Sequence, residues 1–135
     1  MIDKSVLYFA YGANMDPEAM QRRCPAAVPR GTFLLRNWQL QFYSHATIKR
    51  CRGSAVAGVL WELTPDCERS LDRFEGFPIY YTKRTWHQDG QCIMFYEITN
   101  KQGRPSPGYV ANIADSYRHW RLPKKRLKAA LNDFA

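Results

Sequence analysis

The stretch Val6 to Tyr11, VLYFAY, is an unbroken apolar run that ends abruptly on Gly12-Ala13-Asn14. A run this short reads as a strand, and one that is apolar on both of its faces has to be covered on both. The chain must therefore build around this segment. The break into small, turn-forming residues is followed by Asp16-Pro17-Glu18, which supplies an N-cap acceptor, a proline where no amide hydrogen is needed and an acid near the positive helix end. A strand, a tight loop and a helix ending at Cys24-Pro25 are expected in succession.

Beyond that point, Thr32 to Leu35, Gln39 to His45 and Ala55 to Leu63 read as strands, the middle one alternating polar and apolar residues. Thr64-Pro65-Asp66 starts a second helix with Cys67, Leu71 and Phe74 on one face, and Gly76 is its C-terminal glycine. Strands at about Tyr80 to His87 and Gln91 to Ile98 flank Asp89-Gly90, a strong hairpin signal. A turn at Asn100 to Gly103 leads to a third helix start at Ser106-Pro107, with Val110, Ile113, Tyr117 and Trp120 along one side. Pro123 opens a last amphipathic helix carrying Leu127, Ala130, Leu131 and Phe134. No repeat, low-complexity tract or linker interrupts the pattern, so residues 1–135 read as one α+β domain. Most strands can pair antiparallel, which favours a curled sheet or small barrel with peripheral helices over a doubly wound sheet.

Composition narrows the function classes. With 45% hydrophobic and 14% aromatic residues, the chain can bury a core without disulfides or metal. Cys24, Cys51, Cys67 and Cys92 are scattered with no Cys-x-x-Cys pair, and no His stands at a metal-finger spacing, so free thiols in a reducing compartment are expected. MIDKSV lacks a cleavable signal pattern, and no apolar stretch approaches the roughly 20 residues that span a bilayer. A cytoplasmic protein with no membrane partner follows as the expectation. Of the net charge of +8, residues 101–135 contribute six, through eight basic and two acidic side chains. Lys124, Lys125, Arg126 and Lys128 follow Arg118 and Arg121. A solvated helix face explains them more simply than a nucleic-acid surface, because no aromatic interleaving or nucleic-acid motif accompanies them.

Two places have the residue types for chemistry. A strand ending at Tyr11-Gly12-Ala13-Asn14 and turning into a helix presents unpaired amide hydrogens to a carboxylate or phosphate, although a structural turn needs the same residues. Glu75 lies in the last turn of the second helix, where the dipole disfavours a carboxylate, and it is flanked by Phe74, Phe77 and Pro78. Both influences push its pKa upward, as a general acid/base requires. From this motif alone an exposed glutamate at a helix end is the simpler account. Asp72 is explained by an ordinary surface pair with Arg69 or Arg73, and Tyr109 by packing with its hydroxyl at a rim. His45, His87 and His119 are isolated, and no serine-hydrolase elbow or metal-binding His pair occurs.

Taken in order, Phe9-Ala10-Tyr11-Gly12-Ala13-Asn14-Met15, then Gly58-Val59-Leu60-Trp61-Glu62-Leu63 with Leu71-Asp72-x-x-Glu75-Gly76, then Pro105-Ser106-x-x-Tyr109, resemble the γ-glutamylcyclotransferase family, also called AIG2-like. The resemblance implies a small, mixed, mostly antiparallel β-barrel with peripheral helices. It also implies cleavage of a small γ-glutamyl amide to 5-oxoproline and a free amine. Carried onto this chain, Tyr11, Gly12, Ala13 and Asn14 form the substrate loop, Glu75 is the general acid/base and Tyr109 lines the pocket. The substrate's own α-amine would be the nucleophile, so the resemblance implies no metal and no cofactor. One departure is Ala13, where the family usually has serine. The backbone amides survive that change, and a hydroxyl contact is lost. The alternative it raises is a catalytically degenerate γ-glutamyl ligand-binding or regulatory domain.

Overall fold

The computed structural model describes residues 6–98 and 103–132. The hexapeptide at the N-terminus and the turn proposed at Asn100 to Gly103 fall largely outside that range, as does Phe134. The apolar run forms β1 (Val6–Ala10), with Phe9 and Ala10 fully buried. It lies in the middle of a five-stranded sheet, antiparallel to β3 (Ala46–Leu63) on one side and parallel to β5 (Gln91–Ile98) on the other. β2 (Val28–Phe42) and β4 (Tyr81–Gln88) are the edges, giving the order β2-β3-β1-β5-β4.

The expected barrel is not formed: the sheet is open, mixed and mostly antiparallel. The reason is visible where the two edges approach. The Gln88 side chain at the end of β4 accepts from the Arg36 amide at 2.9 Å and donates to the Leu34 carbonyl at 2.8 Å. Arg36 also pairs with Asp89 at 2.7 Å. A side-chain amide thus occupies the backbone donor and acceptor of β2 that a closing ladder would have used.

The two expected strands at Thr32 to Leu35 and Gln39 to His45 are one long strand, β2, and its partner β3 begins nine residues earlier than its apolar segment suggested. Register shifts at Pro29/Thr32 and Arg36/Trp38 bend this ribbon without ending it. At the second, Asn37 adopts a positive φ of 70° and its Oδ1 accepts from the Gly53 amide at 3.1 Å. The polar sequence around Lys49 to Arg52 is an exposed ladder, which a search for buried strands misses.

Locally encoded features agree with the sequence. Asp16, Thr64 and Ser106 each cap a helix whose first residue is proline: α1 (Pro17–Arg23), α2 (Pro65–Glu75) and α3 (Pro107–His119). Gly76 closes α2 in the left-handed conformation. Asp89 and Gly90, both at positive φ, make the tight β4–β5 turn. α4 (Lys125–Asn132) starts two residues later than Pro123 and buries Leu127 and Ala130, so its basic side chains are the solvated face.

Candidate active site

Between β1 and α1 the chain makes one 3-10 turn, Ala13–Met15, closed by the Met15 amide on the Gly12 carbonyl at 3.1 Å. The loop amides therefore belong to this turn and not to the start of α1, which Asp16 already caps. Among the described residues no acceptor takes the amide hydrogens of Gly12, Ala13 or Asn14. Trp120, at the end of α3, fixes the turn from behind by donating its indole hydrogen to the Met15 carbonyl at 2.7 Å. Gly12 leaves room for Tyr109: a Cβ there would stand 3.1 Å from the Tyr109 hydroxyl, a tight contact that the hydroxyl would have to move to relieve.

This turn forms one wall of a cavity of about 150 Å³, the scale at which a protein cavity admits a ligand with the bulk of a benzene ring. The structure brings Tyr11, Gly12, Ala13, Asn14, Glu75 and Tyr109 together around it. α2 contributes Glu75 from its last turn, 61 residues along the chain from Asn14. Asn14 is fully buried, and its amide group is completely engaged. Its Nδ2 donates to Glu75 Oε1 at 3.1 Å and to the Tyr8 hydroxyl at 3.0 Å, while its Oδ1 accepts from Arg23 Nη1 at 2.5 Å.

Burial pushes the Glu75 carboxyl up to about 7, against the Arg23 charge and the Asn14 hydrogen bond, both of which pull it down. The carboxyl group is thus poised to take and return a proton near neutrality. Burial also holds the Tyr8, Tyr11 and Tyr109 phenols above their ordinary range, so they remain protonated. Tyr11 donates to the Tyr96 carbonyl at 2.5 Å. Tyr109 instead accepts from the Ala46 amide at 3.0 Å, and among the described residues nothing accepts its own proton. That hydroxyl is a donor held over the loop.

Several lining residues were not among the sequence candidates: Tyr8, His45, Ala46, Tyr80, Tyr81 and Tyr96. Tyr8 shares the opening apolar run and has no other local signal. Arg23, which anchors Asn14 and lays its guanidinium 3.7 Å from the Phe74 ring centre, looks in sequence like an ordinary last-turn arginine. Asp72 is not paired with Arg69 or Arg73 as expected. It faces the sheet, where Lys83 Nζ lies 3.1 Å away and the Tyr96 hydroxyl donates at 2.7 Å. Cys24, Cys51, Cys67 and Cys92 are all unpaired, and Cys24 points its thiol at the Cys67 carbonyl. Among the described residues no group of three or more His, Cys, Asp or Glu side chains is arranged to hold a metal ion. No described helix is long and apolar enough to cross a membrane.

Fold and site together define a small α+β protein with a half-buried, near-neutral carboxyl group facing an amide-lined loop, an arrangement suited to acid/base work on a small anionic ligand. The family model for "Gamma-glutamyl cyclotransferase, AIG2-like" matches residues 8–121, and the chain belongs to that family of enzymes. Bovine γ-glutamylcyclotransferase is 34% identical over 141 residues, covering 89% of this chain and 74% of its own length. The human enzyme of the same name is 30% identical, covering 94% and 79%. A solved structure of a γ-glutamyl cyclotransferase superposes with a TM-score of 0.82 at 27% identity, covering 94% of this chain and 86% of its own. A mouse AIG2-like protein, at 18% identity and a TM-score of 0.54 over 78% of this chain and 82% of its own, shares the fold.

Proposed function

We propose that this protein converts a γ-glutamyl amide into 5-oxoproline and a free amine. The observation that carries the reading is the contact between Asn14 and Glu75: it sets a carboxyl group with a pKa of about 7 beside a loop with unclaimed amides. The substrate's α-carboxylate would take the amides of Gly12, Ala13 and Asn14, which folds the glutamyl chain back on itself. Glu75 removes a proton from the α-ammonium group, and the freed nitrogen attacks the γ-carbonyl carbon to form the ring bond. The carbonyl oxygen becomes an oxyanion, and the Tyr109 hydroxyl is the donor placed to receive it. As the intermediate collapses, the bond to the leaving amine breaks and Glu75 returns its proton to that nitrogen; the carboxylate then takes the second proton from the positively charged ring nitrogen, leaving the neutral lactam, and passes it to the released amine, which departs as its ammonium ion. Atoms and charges balance without an added nucleophile, and holding the substrate bent for a five-membered closure supplies about 7–11 kcal/mol of the barrier.

Ala13 favours a second reading, a domain that binds γ-glutamyl ligands without turning them over. The experiment that separates the two measures 5-oxoproline release from γ-glutamyl amino acids and γ-glutamyl amines, together with calorimetric binding of the same compounds. Release supports the enzyme; binding with no release from any conjugate supports the degenerate domain. A cytoplasmic location is proposed, supported by four cysteines that are scattered in sequence and unpaired in the structure. Nucleic acid is not proposed as a partner, because the basic residues of α4 are the outer face of a helix docked by Leu127 and Ala130.

A further inference from the structure

Resting on the cyclotransferase reading, we propose that His45 selects the amine half of the substrate, its Nε2 donating to an acceptor beside the leaving nitrogen, a carboxylate above all. Of the side chains that line the cavity, only His45 and Phe74 stand exposed. They therefore mark where the cavity opens. Glu75 has to reach the leaving nitrogen from inside, so the group carried by that nitrogen passes out beside them. His45 ends the turn between β2 and β3, and the backbone there is pinned. Its carbonyl accepts from the Tyr43 amide at 3.0 Å. At Ala46, next in the chain, the amide donates to the Tyr109 hydroxyl at 3.0 Å and the carbonyl accepts from the Tyr81 hydroxyl at 2.9 Å.

The imidazole is held as well. Its Nδ1 meets the Tyr80 hydroxyl at 2.8 Å, and the ring stands edge-on to Tyr80 and Tyr109, with centroid separations of 5.6 and 5.0 Å. One ring nitrogen is thus committed to the wall, while Nε2 has no partner among the described residues. When Tyr80 donates to Nδ1, the hydrogen of the neutral ring lies on Nε2, and the cationic ring carries a hydrogen on both nitrogens. In each of these states Nε2 is a donor. Asn14, by contrast, spends its amide hydrogens on Tyr8 and Glu75. His45 is also the only lining side chain able to carry a positive charge. A carboxylate taken out of water needs such a partner, and a charge-assisted hydrogen bond is roughly twice as strong as a neutral one. At Phe74, the other exposed lining residue, the Arg23 guanidinium lies 3.7 Å from the ring centre and adds a second positive charge near the opening.

The test compares 5-oxoproline release from the γ-glutamyl conjugates of alanine, alaninamide and isopropylamine. These share a branched carbon on the leaving nitrogen and differ in whether it carries a carboxylate, a neutral amide or a second methyl group. The wild type should favour the alanine conjugate over the isopropylamine conjugate about 10-fold or more in kcat/KM, the scale of a hydrogen bond to a charged group, with alaninamide between them. His45→Leu, a change at an exposed position, should bring that ratio close to unity, the loss falling on the alanine conjugate. His45→Gln, which restores a side-chain donor, should recover part of the ratio. A wild type without preference, a ratio unmoved in His45→Leu, or no recovery in His45→Gln overturns the proposal while leaving the cyclotransferase reading intact. So does an equal fall for all three conjugates in His45→Leu, which would make the histidine a prop for the turn. Release from no conjugate removes both.

Discussion

Asp72 and Glu75 stand one turn apart on α2, carry the same functional group, and are treated in opposite ways by the rest of the molecule. Asp72 faces β4 and β5, where Lys83 and the Tyr96 hydroxyl hold it in place. Lys83 bridges from it to Glu68 at 2.7 Å, so this carboxylate is one member of a compensated ionic group. Glu75 faces the 3-10 turn, which offers it a single neutral donor, Asn14, and a cavity. Desolvation without a contacting cation raises its pKa, and the nearest positive charge, Arg23, spends one of its donors on Asn14 instead. In the proposed reaction, a helix end would serve as an acid/base site through what is withheld from the carboxylate as much as through what is supplied.

The comparison breaks most sharply by amidation of each carboxylate in turn. Glu75→Gln keeps the shape and the bond to Asn14 but carries no transferable proton, so kcat for 5-oxoproline release should fall by about 10²–10⁴-fold with the fold intact by circular dichroism. Asp72→Asn should leave kcat within a few-fold. It should instead lower the unfolding free energy read from urea denaturation by about 1–3 kcal/mol, for a weakened charged hydrogen-bond group. If Asp72→Asn abolished release while Glu75→Gln retained it, the roles assigned here would be reversed.

A second contrast lies in stability against pH. The folded-state pKa of Glu75, about 7, exceeds its ordinary value of 4.5, so the folded protein binds a proton more tightly than the unfolded chain. The stability that this protonation contributes is complete below the unfolded pKa and is lost as pH rises through about 7. Between pH 4 and pH 8 the wild type should therefore lose about 2–3 kcal/mol relative to Glu75→Gln, read as diverging urea midpoints. Curves that stay parallel across that range would mean that Glu75 is solvated.

These carboxylates also show where sequence reasoning stops. The caps Asp16, Thr64 and Ser106 and the Asp89-Gly90 hairpin were legible because each is settled by neighbours within a few positions. The upward push on Glu75 was legible only as a direction, because from its own motif an exposed glutamate was the simpler account, and what raises it in the structure is burial. Its partner was not legible: Asn14 lies 61 positions away, and nothing in either segment names the other. The same holds for Asp72, whose nearby arginines were the obvious partners while the true one arrives on β4. Barrel closure failed for a related reason. Whether β2 and β4 pair depends on how far a mixed sheet curls, and here the Gln88 side chain fills the seam. The six motif residues nonetheless converge on one cavity, since the resemblance that singled them out runs through nearly the whole chain short of the last helix.

Smaller effects should follow from the groups that tune Glu75 rather than replace it. Arg23 lowers the Glu75 pKa through its charge, so Arg23→Gln, which keeps a donor for Asn14 and removes that charge, should move the acidic limb of kcat/KM to higher pH. The plateau should change less than the limb. A plateau that collapses with the limb unmoved would make Arg23 a contact for the substrate instead. The smallest change belongs to Ala13, the loop position where a hydroxyl is absent. Ala13→Ser leaves the three amides where they are and adds one neutral hydrogen bond to a bound ligand, worth about 0.5–1.5 kcal/mol. It should therefore lower KM by about 2–10-fold with the turnover rate nearly constant, because a contact made equally in ground and transition states does not alter the chemical step. If turnover instead rose by two orders of magnitude or more, the missing hydroxyl would act on the transition state, and the contrast between Asp72 and Glu75 would become a question about the loop opposite them.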